Sequence, residues 1–358
     1  MTDRDRYVAS LNCGTVDRLF RYEHGPWPTT LERWIGEGYP RGASFSDVFA
    51  MDPLFRIAIN SGYCDSPYEP KFVETPIEET DDYRVYVDVD GVTRRELNAR
   101  ADTSMPQFVR FPVATRADWE EVRTRLDPAD ARKRIGDPQP LRAAHDPTVA
   151  ALLPVCGAFG HPRNLFGDEA LAYALYDDPA LLEEILENWC ELYVELIREL
   201  TAIVPVDVLL IWEDMCYRNG PLISPTHFRR FLSPVYERLI GVCRSAGVRS
   251  ILVDTDGDCL ALIPPFLDVG VDALMPFEVQ AGMDVTAIRR EYPRLGIMGG
   301  IDKRALARDR ASIRAEVDRV VPRLRDSGGY LPTLDHTVPP DVPLEHFRYY
   351  LECVRSHE

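Results

Sequence analysis

From about residue 150 onward, short apolar runs alternate with stretches of helical period. The runs are Ala151-Leu-Leu-Pro-Val-Cys156, Val208-Leu-Leu-Ile-Trp212, Ser250-Ile-Leu-Val253, Ala273-Leu-Met275, Leu295-Gly-Ile-Met298 and Gly329-Tyr-Leu331. Uninterrupted apolar runs of this length, bounded by turn residues, predict strands buried on both faces. Between them, Asp178-Pro179 reads as an N-cap followed by proline at the first helical position. The stripe Leu182, Ile185, Leu186, Trp189, Leu192, Leu196 and Leu200 then predicts a long helix facing the core. Ser224-Pro225 starts a second helix through Phe228, Phe231, Leu232, Tyr236 and Leu239 to Gly247. Strand and helix alternating six times predict right-handed βαβ units on a parallel sheet. With two further strands hidden upstream, the α/β fold is a TIM (β/α)8 barrel.

The first 125 or so residues differ, being rich in proline, glycine and aromatics. Tyr83-Arg-Val-Tyr-Val-Asp-Val-Asp-Gly-Val-Thr93 alternates around Asp90-Gly91 and predicts a hairpin near 83–95. This region reads as an N-terminal elaboration of one barrel domain spanning 1–358.

Most of the polar residues that matter stand immediately after predicted strands. Glu213-Asp214 follows Trp212, Asp254 and Asp256 follow Val253, Glu278 follows Phe277, and Asp335-His336 comes soon after Leu331. In a barrel the carboxyl ends of the strands share one mouth, so these residues are expected to meet there. Six acids and one histidine in one place repel unless a cation, protons or basic partners relieve them. One solution is a divalent metal held by carboxylates and an imidazole. The other is proton sharing, with one carboxyl raised in pKa as general acid or base. Both require the same residue types, so the pattern leaves them open. Asp258 and Asp284 read as helix caps. Arg163, Arg218 and Lys303, at comparable positions, are either ligands for an anionic substrate group or ordinary ion pairs.

A formal charge of -17, from 41 basic and 58 acidic side chains, disfavours nucleic acid and anionic membrane surfaces. The eight cysteines are scattered without CxxC spacing, which fits reduced thiols in a cytoplasmic protein. No signal peptide or membrane span is expected. No P-loop, GxGxxG after a strand, HExxH or GxSxG occurs.

Four motifs together resemble the uroporphyrinogen decarboxylase superfamily. They are Trp212-Glu-Asp-Met-Cys-Tyr-Arg-Asn-Gly-Pro-Leu-Ile-Ser-Pro225, Asp272-Ala-Leu-Met-Pro-Phe-Glu-Val-Gln-Ala-Gly-Met283, Gly299-Gly-Ile-Asp-Lys303 and Leu334-Asp-His-Thr-Val-Pro-Pro340. That superfamily of TIM barrels includes cobalamin-linked methyltransferases, which place a zinc-binding His-x-Cys-Gly where Asp254-Thr-Asp256-Gly257 stands here. They carry an acid at the position of Glu278 and a cysteine in the loop around 334–336. Without those thiolates, thiol methylation is disfavoured, and a metal harder than zinc, or none, is implied. True uroporphyrinogen decarboxylases are similar at His336, but their arginine-rich motif for an eight-carboxylate tetrapyrrole has no counterpart near residues 15–45. Only Phe45-Ser-Asp47 resembles their catalytic aspartate segment.

The resemblance implies a corrinoid-associated methyltransferase acting on a small molecule. Asp254, Asp256 and His336 would be catalytic, and with Glu278 would hold a divalent metal, zinc or a harder one. Glu213, Asp214, Asn219, Tyr330 and Arg163 would bind substrate. Methylcobalamin is the implied co-substrate, a corrinoid protein the implied partner, and a homodimer the implied assembly. The alternatives are a decarboxylase of a porphyrinogen or small carboxylic acid, with Asp47 or Asp254 stabilising charge, and a non-catalytic corrinoid- or ligand-binding barrel.

Overall fold

The computed structural model describes residues 1–63, 65–98 and 106–358; Cys64 lies outside them, and the other seven cysteines are free thiols. Seven strands form one sheet in chain order: Leu54–Arg56, Ala150–Cys156, Val208–Trp212, Ser250–Asp254, Ala273–Met275, Gly296–Met298 and Tyr330–Leu331. Every neighbouring pair is parallel. All six apolar runs are therefore strands, and Leu54–Arg56 adds one strand upstream where two were expected.

Period-two alternation divides the strand residues between two cores. Leu152, Val208, Leu210, Leu252, Ala273, Met275, Met298 and Leu331 turn inward, where they meet Tyr7, Val8 and Leu11 of the N-terminal helix Asp3–Leu11. Leu153, Val155, Leu209, Ile211, Ile251, Val253, Leu274 and Ile297 turn outward against the helices. Burial on both faces explains why the runs carry no polar alternation.

The helix Pro179–Thr201 starts as expected, with the Asp178 side chain accepting from Leu181 N, and buries its leucine stripe. Trp189 in that stripe is fully buried and donates Nε1–H to Cys156 O at 3.0 Å. Its ring thus contributes apolar burial, worth about 1.5–3 kcal/mol for a large side chain, with its polar atom satisfied. The Ser224-Pro225 signal also marks a helix start, with Ser224 accepting from His227 N. That helix then widens to a π turn over Phe228–Leu232 before continuing as Ser233–Ser245.

An eighth strand is not found among the described residues. Residues 19–27 cross between Asp52 and Val338 by discrete bonds in place of a ladder. Phe20 and Tyr22 point into the inner core. Near the first strand Asp52 N donates to Arg21 O, and Arg21 N donates to the Asp52 carboxylate. On the other side Val338 N donates to Gly25 O, Trp27 N donates to Val338 O, and Pro26 bridges Val338 in parallel. Glu23 fastens this crossing, accepting from Leu334 N at 3.1 Å and from Tyr350 Oη at 2.5 Å.

A separate antiparallel sheet, Thr75–Glu79, Tyr83–Val87, Thr93–Leu97 and Gln107–Arg110, lies within the N-terminal region. The Asp90-Gly91 turn joins its middle strands. Few of its side chains are buried, and Val73, Ile77, Phe108 and Val109 on or beside it stay exposed. No helix of the described residues is long and apolar enough to cross a membrane.

Burial pushes the Glu23 carboxyl up to about 8 despite its two donors. The unfolded chain releases this proton near the ordinary value of about 4.5, whereas the folded chain keeps it, so this group's contribution to stability falls as pH rises through that window, by about 1.4 kcal/mol per pH unit. Glu23→Gln is expected to remove that slope. Thermal denaturation of both proteins between pH 5 and pH 8 checks it: relative to the variant, wild type should lose stability steadily toward the upper end.

Candidate functional site

The carboxyl ends of the strands carry two adjoining cavities that share Tyr63, Trp212 and Asp214. The smaller, about 220 Å³, is lined by His24, Asp254, Asp256, Met275, Pro276, His336 and Thr337 besides those three. The larger, about 480 Å³, extends toward the antiparallel sheet and the helix Gly160–Phe166.

Asp254 is the last residue of its strand, in register with Trp212 on one side and Met275 on the other. Its carbonyl accepts from Glu213 N at 2.9 Å and Asp214 N at 3.3 Å, so the two acidic strand ends are locked together. Burial, reinforced by the charges of Asp256 and Asp214, pushes its carboxyl up to about 8, while His336 and Arg56 pull the other way. At neutral pH it is therefore mainly a neutral acid. Asp256 lies nearer solvent, with His336 Nε2 3.6 Å from its Oδ2. That carboxylate raises the His336 imidazole above its ordinary value against the opposing effect of burial. His336 also stacks on Trp27, with ring centroids 6.2 Å apart and planes inclined by 21°. His24, on the same cavity, is pushed down to about 4 by burial and by His336, so it stays neutral.

Glu213, expected to touch substrate, is fully buried and faces away from both cavities. Its Oε2 accepts from Phe159 N and Gly160 N, each at 2.8 Å, at the start of the helix Gly160–Phe166. Burial raises it to about 7, opposed by the Gly160, Phe159 and Ala158 amides. The cradle requires glycine at 157, since a Cβ there would lie 2.2 Å from the Glu213 carboxyl carbon. Asp214 does line the cleft and pairs with Arg163, whose Nη1 is 2.9 Å from its Oδ2 and whose guanidinium lies over Trp212. Its carboxyl is raised by burial and lowered by Arg163.

Glu278 is drawn out of the small cavity. It accepts from Gly257 N at 3.1 Å and lies 3.5 Å from Lys303 Nζ. Lys303 Nζ is also 3.7 Å from Asp335 Oδ1, and Asp335, fully buried, accepts from Lys303 N and Val279 N. Burial raises the Asp335 carboxyl, and Lys303 is the largest influence opposing it. Gly257 has φ +73°, and a Cβ on it would meet the Tyr217 backbone at 2.7 Å, so this turn admits glycine alone without rearrangement. The network fixes the residues next to Asp256 and His336.

Two expected substrate residues lie elsewhere. Tyr330 precedes inward-facing Leu331, so alternation turns it outward, where its hydroxyl donates to Gly299 O at 3.2 Å. Asn219 occupies the exposed tip of the Cys216–Pro221 hairpin, beside exposed Arg218, and lines neither cavity. Asp284 caps its helix, accepting from Thr286 N, whereas Asp258 accepts from Leu260 N from one residue before the cap position, which Cys259 holds.

The residues proposed as metal ligands do not form a ligand set. Among the described residues no three His, Cys, Asp or Glu side chains gather where an ion could be held, and Glu278 is turned to Gly257 and Lys303. The crowding of acids is met by protons on Asp254, by the cations Arg163 and Lys303, and by backbone amides at Glu213, Glu278 and Asp335. His24 and Tyr63 were missed. The alternation Phe20, Tyr22, His24 was a period-two signal for an inward-facing segment ending at the cavity.

Two measurements check this geometry. Gly157→Ala should destabilise the fold by about 1–3 kcal/mol through overpacking against Glu213, read as a lower denaturation midpoint. Asp256→Asn should move the His336 imidazole titration to lower pH by NMR, because the main influence raising it is gone.

The uroporphyrinogen decarboxylase (URO-D) family model matches residues 101–357. Over 191 residues the chain is 27% identical to a uroporphyrinogen decarboxylase of Thermus thermophilus, a match spanning 51% of this chain and about half (50%) of that relative. It is 27% identical over 234 residues to the uroporphyrinogen decarboxylase of Methylococcus capsulatus, covering 63% of this chain and 61% of that one. A methyltransferase from Methanosarcina mazei shares the fold, with a TM-score of 0.62 at 14% identity over 99% of both chains. With motifs, sheet and family model in agreement, the chain belongs to the uroporphyrinogen decarboxylase family.

Proposed function

We propose that the protein is a methyltransferase acting on a small molecule, with a corrinoid-bound methyl group or methyl acceptor, on a corrinoid protein, as co-substrate. The observation that carries this reading is the neutral Asp254 carboxyl at the floor of a small cavity, beside the Asp256–His336 pair. Breaking a bond between a methyl group and a heteroatom leaves charge on the heteroatom. A positioned acid that donates its proton there lowers the barrier, typically by a factor of about 10²–10⁴. Asp254 donates that proton, Asp256 favours the protonated form of His336, and His336 restores the proton to Asp254. A corrinoid, when bound, supplies the methyl acceptor or donor. Arg163 and Asp214 shape the passage between the cavities. In the same reading, residues 19–27 fill the place of the eighth strand of a closed barrel.

Decarboxylation is the second reading, favoured by the sequence similarity to uroporphyrinogen decarboxylases. In it Asp254 and His336 would deliver a proton to the carbon that loses CO₂. Asp47 does not serve that role, because it is exposed and lines neither cavity. Among the described residues the two arginines of the larger cavity are each paired with an aspartate, Arg94 with Asp88 and Arg163 with Asp214, which suits a polyanion poorly.

Spectral titration with methylcobalamin, and with its reduced demethylated form plus methylated small molecules, tests the first reading. Incubation with uroporphyrinogen tests the second. Methyl transfer should fall as pH rises through about 8, where Asp254 loses its proton. Asp254→Asn should reduce it by about 10²-fold or more while leaving the fold intact. Carboxylate loss from uroporphyrinogen without any corrinoid response would overturn the proposal.

A further inference from the structure

The larger cavity has a chemistry of its own. Among the described residues four aspartates (65, 90, 168 and 214) line it against two arginines, in a chain whose formal charge is -17. Neither arginine offers an uncommitted head. Arg94 pairs with Asp88 and lies over Phe108, and Arg163 pairs with Asp214 and lies over Trp212. An anionic ligand would have to displace a carboxylate from one of them.

Two buried polar atoms on this wall have no hydrogen-bond partner among the described residues. One is His161 Nε2, on a side chain only 2% exposed; the other is Asp90 Oδ1. His161 remains neutral, because burial pushes it down to about 4. Leaving such groups unpaired is costly, and a ligand bearing N–H donors would satisfy Asp90 Oδ1 and, with the ring proton on Nδ1, His161 Nε2. Tyr68, Phe111 and Tyr217 add aromatic surface, which attracts a cation at a ring face. Asp168, whose Oδ2 accepts from Tyr217 Oη at 3.0 Å, contributes another negative charge at the rim.

We infer that the larger cavity receives an organic ammonium group, donating to Asp90 Oδ1 and His161 Nε2 between aromatic walls. The substrate class is thereby a small aromatic or alkyl amine whose reacting end projects past Tyr63 and Trp212 toward Asp254. This rests on reading the cleft as a substrate site, yet it is tested by binding alone, so a failure of methyl transfer and a failure of amine recognition are separable.

Isothermal titration of the full chain with 2-phenylethylammonium chloride, and separately with 3-phenylpropionate of similar size, decides it. The amine should saturate one site in the millimolar range or tighter, and the carboxylate should bind at least about tenfold more weakly. Asp90→Asn should weaken the amine by at least about tenfold, the loss expected of a charge-assisted bond. If that variant does not fold, Asp168→Asn should weaken it by a smaller factor. Tighter or equal binding of the carboxylate, no saturable amine binding, or amine affinity unchanged in a folded Asp90→Asn protein would overturn the inference.

Discussion

Taking carboxyl groups out of water at the ends of parallel strands is the constraint on which the rest of this structure depends. An isolated buried carboxylate costs several kcal/mol, so each must be neutralised or surrounded by donors. The chain uses a different answer at each strand. Glu213 faces the amides that open a helix, Asp335 and Glu278 share Lys303 and take backbone N–H groups, and Asp214 takes Arg163. Asp254 has none of these and retains its proton. This protonated strand-end carboxyl lines the small cavity, and perturbed groups of that kind mark functional sites.

The same residue types thus serve scaffold and site, which explains both the successes and the misses of reading the chain as letters. The six apolar runs and the capped helices were legible, because burial on both faces and cap chemistry leave local patterns. Acids after strands correctly pointed to the mouth of the sheet. The direction in which each side chain then turns was not legible. Tyr330 and Leu331 are equally plausible at a strand end, and parity alone sends one inward and one outward. Glu213 and Asp214 are adjacent acids, and only the close approach of Gly157 reveals which is a fastening. Leu54–Arg56 was hidden because three residues in a proline-rich stretch carry too little period to be seen.

The N-terminal region is more than an addition to the sheet. The crossing at residues 19–27 brings His24 to the small cavity, while the antiparallel sheet and the segment before it supply Asp90, Arg94, Phe108 and Tyr68 to the larger one. The matched span of the family model begins at residue 101, so much of the larger cavity is built from sequence outside it. Part of the ligand-facing wall of this chain thus lies outside the span that marks the family, consistent with function residing in sites placed on a shared fold.

Trp27 adds a property unrelated to catalysis. Its half-exposed indole lies stacked on His336, whereas Trp34, Trp119 and Trp189 are fully buried in the packed core. A protonated imidazole quenches a neighbouring indole more strongly than a neutral one, so the emission of Trp27 follows the charge on His336, and Trp212, which lines the same cavity, adds a second emitter there. The protein thus carries its own optical gauge of the small cavity, through which protonation and occupancy can be followed without a label.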